Sequence, residues 1–198
     1  ASENSITRDA LVQRVVAADR RVQVLEATVL TAQNNLLNAE AAALAGTSLG
    51  DQARSRLDRL RIATGQTEVF GNGVTVTIDD APFDPLVTDT PPGRVIDRDL
   101  PMIVNGLWQA GATDIAINGR RITPTSAIRA AGEAIFVNYR PMSPPYVVSA
   151  IGPDADRLAG RFRDNPAGLL LEELEAKYGV IWELQRVGNI SLPAASST

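Results

Sequence analysis

Near the start of the chain, Leu11, Val15, Ala18, Val22, Leu25, Val29, Ala32, Leu36 and Ala39 alternate at spacings of four and three. This is the heptad repeat of a coiled coil, whose period keeps one apolar stripe turned toward a partner helix. The a positions are Arg8, Val15, Val22, Val29 and Leu36, and the d positions are Leu11, Ala18, Leu25, Ala32 and Ala39. Valine at a with leucine at d favours two parallel strands. Charge agrees, because a parallel pair in register sets Arg14 of one strand against Asp19 of the other, and Arg21 against Glu26. An antiparallel pair would set arginine against arginine and acid against acid. The expected interface is Leu11, Val15, Val22, Leu25, Val29 and Leu36. The second half of the seam is weaker, since alanine at d buries few methylenes and Asn34, Asn35 and Asn38 are poor helix formers. Short heptad runs also occur in helices packed on their own domain. Here the pattern covers residues 8–43, about 54 Å at about 1.5 Å per residue, which exceeds the width of a small domain.

The pattern breaks at Gly46, Thr47, Ser48, Leu49 and Gly50, a helix stop and hinge. A second helix, capped by Asp51, carries Ala53, Leu57 and Leu60 on one face and Arg54, Arg56, Arg59 and Arg61 on the other, and Gly65 ends it. Beyond a turn at Gly71, Asn72 and Gly73 the period changes to two: Val74, Val76 and Ile78 alternate with threonines as a strand. Pro82, Pro85, Pro91, Pro92 and Gly93 then mark a long loop.

A helix beginning at Asp97 or Asp99 follows, with Pro101 in its first turn, Ile103, Val104, Leu107 and Trp108 on its buried face and Gly111 as its stop. Strands are predicted over 114–118, turning at Asn118 and Gly119, over 134–139 and over 146–151, with residues 140–145 as the connection between the last two. Helices are predicted over 154–163 and 167–178, separated by Pro166, with Leu158, Phe162, Leu170, Leu171 and Leu174 inward. A closing strand covers 180–184, and residues 191–198 read as a loose tail.

The order strand, helix, strands, helix, strand predicts an α+β domain of the ferredoxin-like, split β-α-β kind, with a mainly antiparallel sheet and helices on one face. The expected organisation is a coiled-coil helix over 1–46, a hinge and second helix over 47–66, the α+β domain over 67–193 and a tail over 194–198.

Composition removes more chemistry than it suggests. With no histidine and no cysteine among 198 residues, Ser-His-Asp triads, cysteine nucleophiles, structural zinc sites and histidine-ligated haem are excluded. Glu172 and Glu175 only share one solvated helix face, and Lys177 stands near no serine motif. No cofactor is expected. Asp79, Asp80, Asp84 and Asp89 match no calcium-loop spacing, and no metal site is expected. A net charge of -4 with scattered arginines argues against nucleic acid. No apolar run is long enough to span a bilayer. The chain starts at Ala1 and not at methionine, with the seam opening almost at once, so an upstream segment is expected, and a membrane anchor is its natural candidate.

Asn118 sits in a tight turn with Arg120 and Arg121 just beyond it, and Asn138 and Arg140 lie at a similar strand end, with Ser126 between the two. These residues either hold their own loops, or present guanidinium forks, amides and a hydroxyl to an anionic wall, peptide or lipid ligand.

The most specific stretches are Leu107-Trp108-Gln109-Ala110-Gly111-Ala112, Ile115-Ala116-Ile117-Asn118-Gly119-Arg120-Arg121-Ile122, Ser126-Ala127-Ile128-Arg129 and Ser143-Pro144-Pro145-Tyr146-Val147-Val148-Ser149-Ala150-Ile151-Gly152. Together they resemble the bacterial YlxW-like family of domains of unknown function, over roughly residues 57–193. That resemblance implies a membrane helix, a coiled-coil segment and an extracytoplasmic α+β domain, in an envelope protein of actinobacteria or Firmicutes often encoded near division and cell-wall genes. It implies no established activity. The expected protein is therefore non-catalytic, anchored by a single membrane pass with this chain outside the cytoplasm, and joined through its coil to an identical strand or to another envelope protein.

Overall fold

The computed structural model describes residues 2–82, 93–132 and 134–195, with side chains in the first helix from Ala10 onward. The expected loop acids Asp84 and Asp89, the prolines Pro85, Pro91 and Pro92, the Arg8 side chain and residues 196–198 of the tail lie outside these. The chain divides into two compact units, Ala1–Asp58 and Arg59–Thr198.

The first unit contains α1 (Ser2–Ala43), which holds the whole heptad pattern in one helix. Gly46 takes a left-handed φ of 92° and stops the chain after it. The next helix, α2 (Ser48–Ala63), starts three residues before the expected Asp51 cap. Thr47 is the reason, because its Oγ1 accepts the Gly50 N–H at 3.0 Å and satisfies an open helix donor. Gly50 is therefore helical and not a hinge, and a Cβ there would lie 2.1 Å from the Leu44 carbonyl oxygen.

The second unit is α+β. Its five-stranded sheet has the order β3-β2-β7-β1-β8, and every neighbouring pair is antiparallel. The strands are β1 (Val69–Asp79), β2 (Asp114–Ile117), β3 (Arg120–Ile122), β7 (Tyr146–Ile151) and β8 (Ile181–Leu192). Three helices, α3 (Asp99–Ala110), α4 (Ala155–Arg163) and α5 (Pro166–Tyr178), close one face. Val74, Val76 and Ile78 of β1, Ile115 and Ile117 of β2 and Val148 of β7 are fully buried there with Leu107, Leu158, Phe162 and Leu171 of the helices. The α4 cap is Asp154, which accepts the Arg157 N–H at 3.0 Å, and the α5 cap is Asn165. Pro166 is not a separator. It opens α5 at its first position, where its missing N–H has no bond to lose.

Three expectations change with tertiary pairing. The glycines at 71 and 73 do not make a turn before β1 but lie inside it, because a Cβ on Gly73 would sit 1.9 Å from the Ala150 carbonyl oxygen of β7. The strand expected to end near Leu184 runs on to Leu192, taking in residues assigned to a tail. Gly188 and Asn189 resemble a turn but form an irregularity within β8, where the register against β1 shifts between Gly71 and Gly73 and the Asn72 Oδ1 accepts the Asn189 N–H at 3.2 Å. Ala195, also expected in the tail, is tied down, since its N–H donates to the Gly65 carbonyl at 2.7 Å. Finally, β4 (Ile128–Ala131), β5 (Ala134–Val137) and β6 (Arg140–Met142) form a separate three-stranded sheet, although residues 140–142 were expected to be part of a connection. Ile135, Val137 and Met142 of that sheet join the main core.

Candidate functional site

Two regions carry the residues singled out from the sequence. On α1, the seam side chains Leu11, Val15, Leu25, Val29 and Leu36 are 43 to 60% exposed, and Val22 is partly covered. Three polar side chains of the helix bond within it. Thr28 and Thr31 hydroxyls donate to the carbonyls of Val24 and Ala27, and Gln23 donates to Asp19 at 3.1 Å. Burying the seam against a second helix thus costs no unpaired threonine. Apolar side chains also lie off the seam, at Val12, Val16, Val24, Leu30 and Leu37, all exposed. Their b, c and e heptad positions are the signal that marks them, and a strict a/d count passes over them.

The second region is the pair of strand ends. Asn118 and Gly119 have φ of 45° and 73°, as the two central positions of a tight hairpin turn require. The Asn118 Oδ1 accepts the Val147 N–H at 2.6 Å and its Nδ2 donates to the Pro145 carbonyl at 3.5 Å, so this amide staples the turn to β7. Arg120 begins β3, half-buried. Arg121 pairs across the sheet with Ala116, which places it on the face opposite the helices and leaves it 4% exposed. There it forms an ion pair with Asp114 and donates to the carbonyls of Thr67 at 3.3 Å and Pro193 at 3.5 Å. A buried guanidinium is tolerated because a carboxylate and two carbonyls replace its water. Arg121 thus forms an internal tie between Asp114 of β2 and the segments entering β1 and leaving β8.

At the other strand end Asn138 and Tyr139 form the turn from β5 to β6, with φ of 50° and 64°. The Asn138 Oδ1 accepts the Ala127 N–H at 3.2 Å, and its Nδ2 donates to the Ser126 Oγ at 3.1 Å. Ser126 in turn accepts the Thr123 N–H at 2.9 Å. The structure thus joins Asn138 to Ser126, while Arg121 belongs to the five-stranded sheet and Arg140 to the three-stranded one. Arg129 lies 4.5 Å above the Tyr139 ring, a cation–π contact across the small sheet.

Beside the Arg121–Asp114 pair is a cleft of about 470 Å³ with Ile62, Trp108, Ile122 and Pro124 among its walls. Trp108 was expected on the buried face of α3 but is 38% exposed here. Thr113 Oγ1 donates to Asp114 at 2.8 Å, so the polar wall of the cleft is engaged within the chain and the open wall is apolar. Asp99, 4% exposed at the start of α3, accepts the Ile96 N–H at 2.9 Å. Burial raises its carboxyl above the usual aspartate value, and that hydrogen bond and nearby Arg98 oppose the rise. Among the described residues, no group of three or more acidic, histidine or cysteine side chains could hold a metal ion.

Known proteins share this arrangement. The chain is 36% identical over 203 residues to UPF0749 protein Rv1823 of Mycobacterium tuberculosis, an alignment covering 93% of this chain and 64% of that protein. It is 34% identical over 117 residues to UPF0749 protein YlxW of Bacillus subtilis, covering 59% of this chain and 49% of that one. The chain therefore spans less than two thirds of the length of these relatives. A crystal structure of an uncharacterized conserved protein from Mycobacterium tuberculosis superposes with a TM-score of 0.56 at 26% identity, over 72% of this chain and 93% of that one. The family described as bacterial protein of unknown function (DUF881) matches residues 56–198. With that match over residues 56–198, the chain belongs to the family and is similar to the YlxW-like proteins.

Proposed function

We propose that this chain is the non-catalytic, interaction-bearing part of a membrane-anchored envelope protein, which pairs through α1 with a parallel second strand. The observation that carries this reading is the row of exposed leucines and valines on a helix of 42 residues. An apolar stripe of that length has nothing to gain from water and much to gain from a second stripe like it. The flanking charges favour a parallel homodimer, and a heteromeric coil with another envelope protein uses the same seam. Anchoring by a membrane helix rests on the resemblance to the YlxW-like family; among the described residues no helix is long and apolar enough to cross a membrane. A place outside the cytoplasm and a role in division or wall biogenesis rest on the resemblance to the YlxW-like family. The strand order β2-β7-β1-β8, with β7 between β1 and β2, supports a ferredoxin-like core to which β3 and the small sheet are added.

The test is sedimentation of the full chain beside the double variant Val22→Asp and Val29→Asp. A dimer that becomes a monomer in the variant is expected, and a wild-type monomer at high concentration would leave only the heteromeric coil. Direction is read separately. The chain has no cysteine, so Val15→Cys can oxidise only with its own copy. A parallel pair in register crosslinks there, whereas an antiparallel pair holds the two sulfurs far apart.

A further inference from the structure

Among the described residues, the five-stranded sheet ends in two very unlike edges. On one side is β3, with three residues, and on the other β8, with twelve. Every second residue of an edge strand turns its N–H and C=O away from the sheet, and proteins ordinarily keep such edges short or cover them. Alongside β8 runs α4, whose residues Asp156, Ala159, Gly160 and Arg163 recur on one helix face. Between this stripe and Leu184, Gln185 and Arg186 of β8 lies an open cleft of about 580 Å³.

The small residues make the hollow. A Cβ placed on Gly160 meets nothing within 4 Å, so no packing inside the chain accounts for a glycine in mid-helix, where it lowers stability relative to alanine. The charge of the cleft is unbalanced. Arg186 forms an ion pair with Asp156, which occupies the one carboxylate lining the cleft. Arg163, exposed at the end of α4, has no ion pair or side-chain hydrogen bond among the described residues.

We propose that this cleft takes an extended peptide of another protein by strand addition: the peptide pairs with the open edge of β8, lies against Ala159 and Gly160, and places a carboxylate on Arg163. The main chain of β8 supplies affinity without regard to sequence, and the guanidinium supplies the preference for an acidic group. The carboxylate is either an acidic side chain or the C-terminus of the peptide. This inference stands apart from the pairing of α1, because it rests on α4 and β8 alone.

The experiment pans the full chain against a display library of random linear peptides with free C-termini. Enriched peptides are then synthesised as free acids and as C-terminal amides, and titrated calorimetrically. We expect enrichment of peptides with an acidic side chain, or loss of binding on amidation where the terminus is the ligand. Bound peptide should slow hydrogen exchange at residues 181–187. Gly160→Leu, which fills the hollow from open space, and Arg163→Glu should each weaken binding by about tenfold or more with the fold intact, Gly160→Leu raising the melting temperature because leucine is the better helix former. Failure to enrich any peptide, or affinity indifferent to both variants, overturns the proposal. So does exchange protection of β8 that grows with protein concentration in the absence of peptide, since a second copy would then occupy the edge.

Discussion

The same side chains meet opposite fates in the two units. Val74 and Val76 of β1 are fully buried, whereas Val15 and Leu25 of α1 are 60% and 56% exposed. In the α+β unit, apolar residues from strands and helices distant in sequence meet in one cluster, and their burial is complete within the chain. In α1 they line a single helix, in which Gln23, Thr28 and Thr31 bond to groups one turn earlier. A helix gains little from local bonds alone, and most helical stability in proteins comes from packing an apolar face. The contrast teaches that the α+β unit buries its main apolar cluster within the chain, whereas α1 leaves its apolar stripe exposed.

The largest effect that could break this comparison comes from truncating each kind of residue. Phe162→Ala should lower the stability of the α+β unit by about 3 to 5 kcal/mol, because it opens a cavity in a closed core. Leu25→Ala should leave the same transition within about 0.5 kcal/mol. Urea denaturation followed by tryptophan fluorescence measures this directly, since Trp108 and Trp182 both lie in the second unit. Equal losses from the two variants would mean that α1 is not a separate interface.

Next in size is the internal tie at Arg121. Arg121→Met should cost about 3 kcal/mol in the same assay, because Asp114 and two carbonyls lose their partner. Adding Asp114→Leu should recover a large part of the loss. A neutral Arg121→Met would return this residue to the role of a displayed, ligand-seeking arginine.

The smallest effect is a pH dependence. Burial makes Asp99 harder to ionise in the folded chain than in the unfolded one, so the folded state holds the proton to higher pH. Its contribution is fully present below the unfolded value and is lost as pH rises through the raised folded value. Asp99→Asn keeps an oxygen for the Ile96 N–H but removes the titration. As pH falls from about 7 to about 4, the wild type should gain stability relative to this variant in thermal melts. A constant difference across that range would show that Asp99 ionises as freely inside as outside.

Elements governed by local rules were legible in advance. The heptads of α1, the glycine stop at Gly111 and the Asn118 turn each depend on residues within one helical turn or one hairpin. The misreadings share a different cause. Gly73 resembles a turn residue until β7 is laid beside it, and the closing strand expected over 180–184 runs on to Leu192 once β1 is laid alongside it. Of the three-stranded sheet only β5 was legible, within the strand expected over 134–139, because β4 and β6 are of four and three residues, too short for an alternation to stand out. The candidate site divides in the same way. The turn geometry at Asn118 could be anticipated, whereas the partners of Asn118, Asn138 and Ser126 come from segments beyond the reach of any local pattern.

The heptad spacing of Leu11 to Leu36 is periodic, so the seam on α1 follows from the sequence, as does the alternation that sends Val74, Val76 and Ile78 to one side of a strand. The absence of histidine and cysteine likewise rules out whole classes of chemistry without any structure. Tertiary structure alone decided that Arg121 pairs with Asp114, and that β8, twelve residues long, is an edge of the sheet among the described residues and lies beside the hollow at Gly160. The physical reason is range. Periodicity and caps act over one or two turns of chain, but the burial of a charge or the freedom of an edge depends on segments brought together from far apart in sequence.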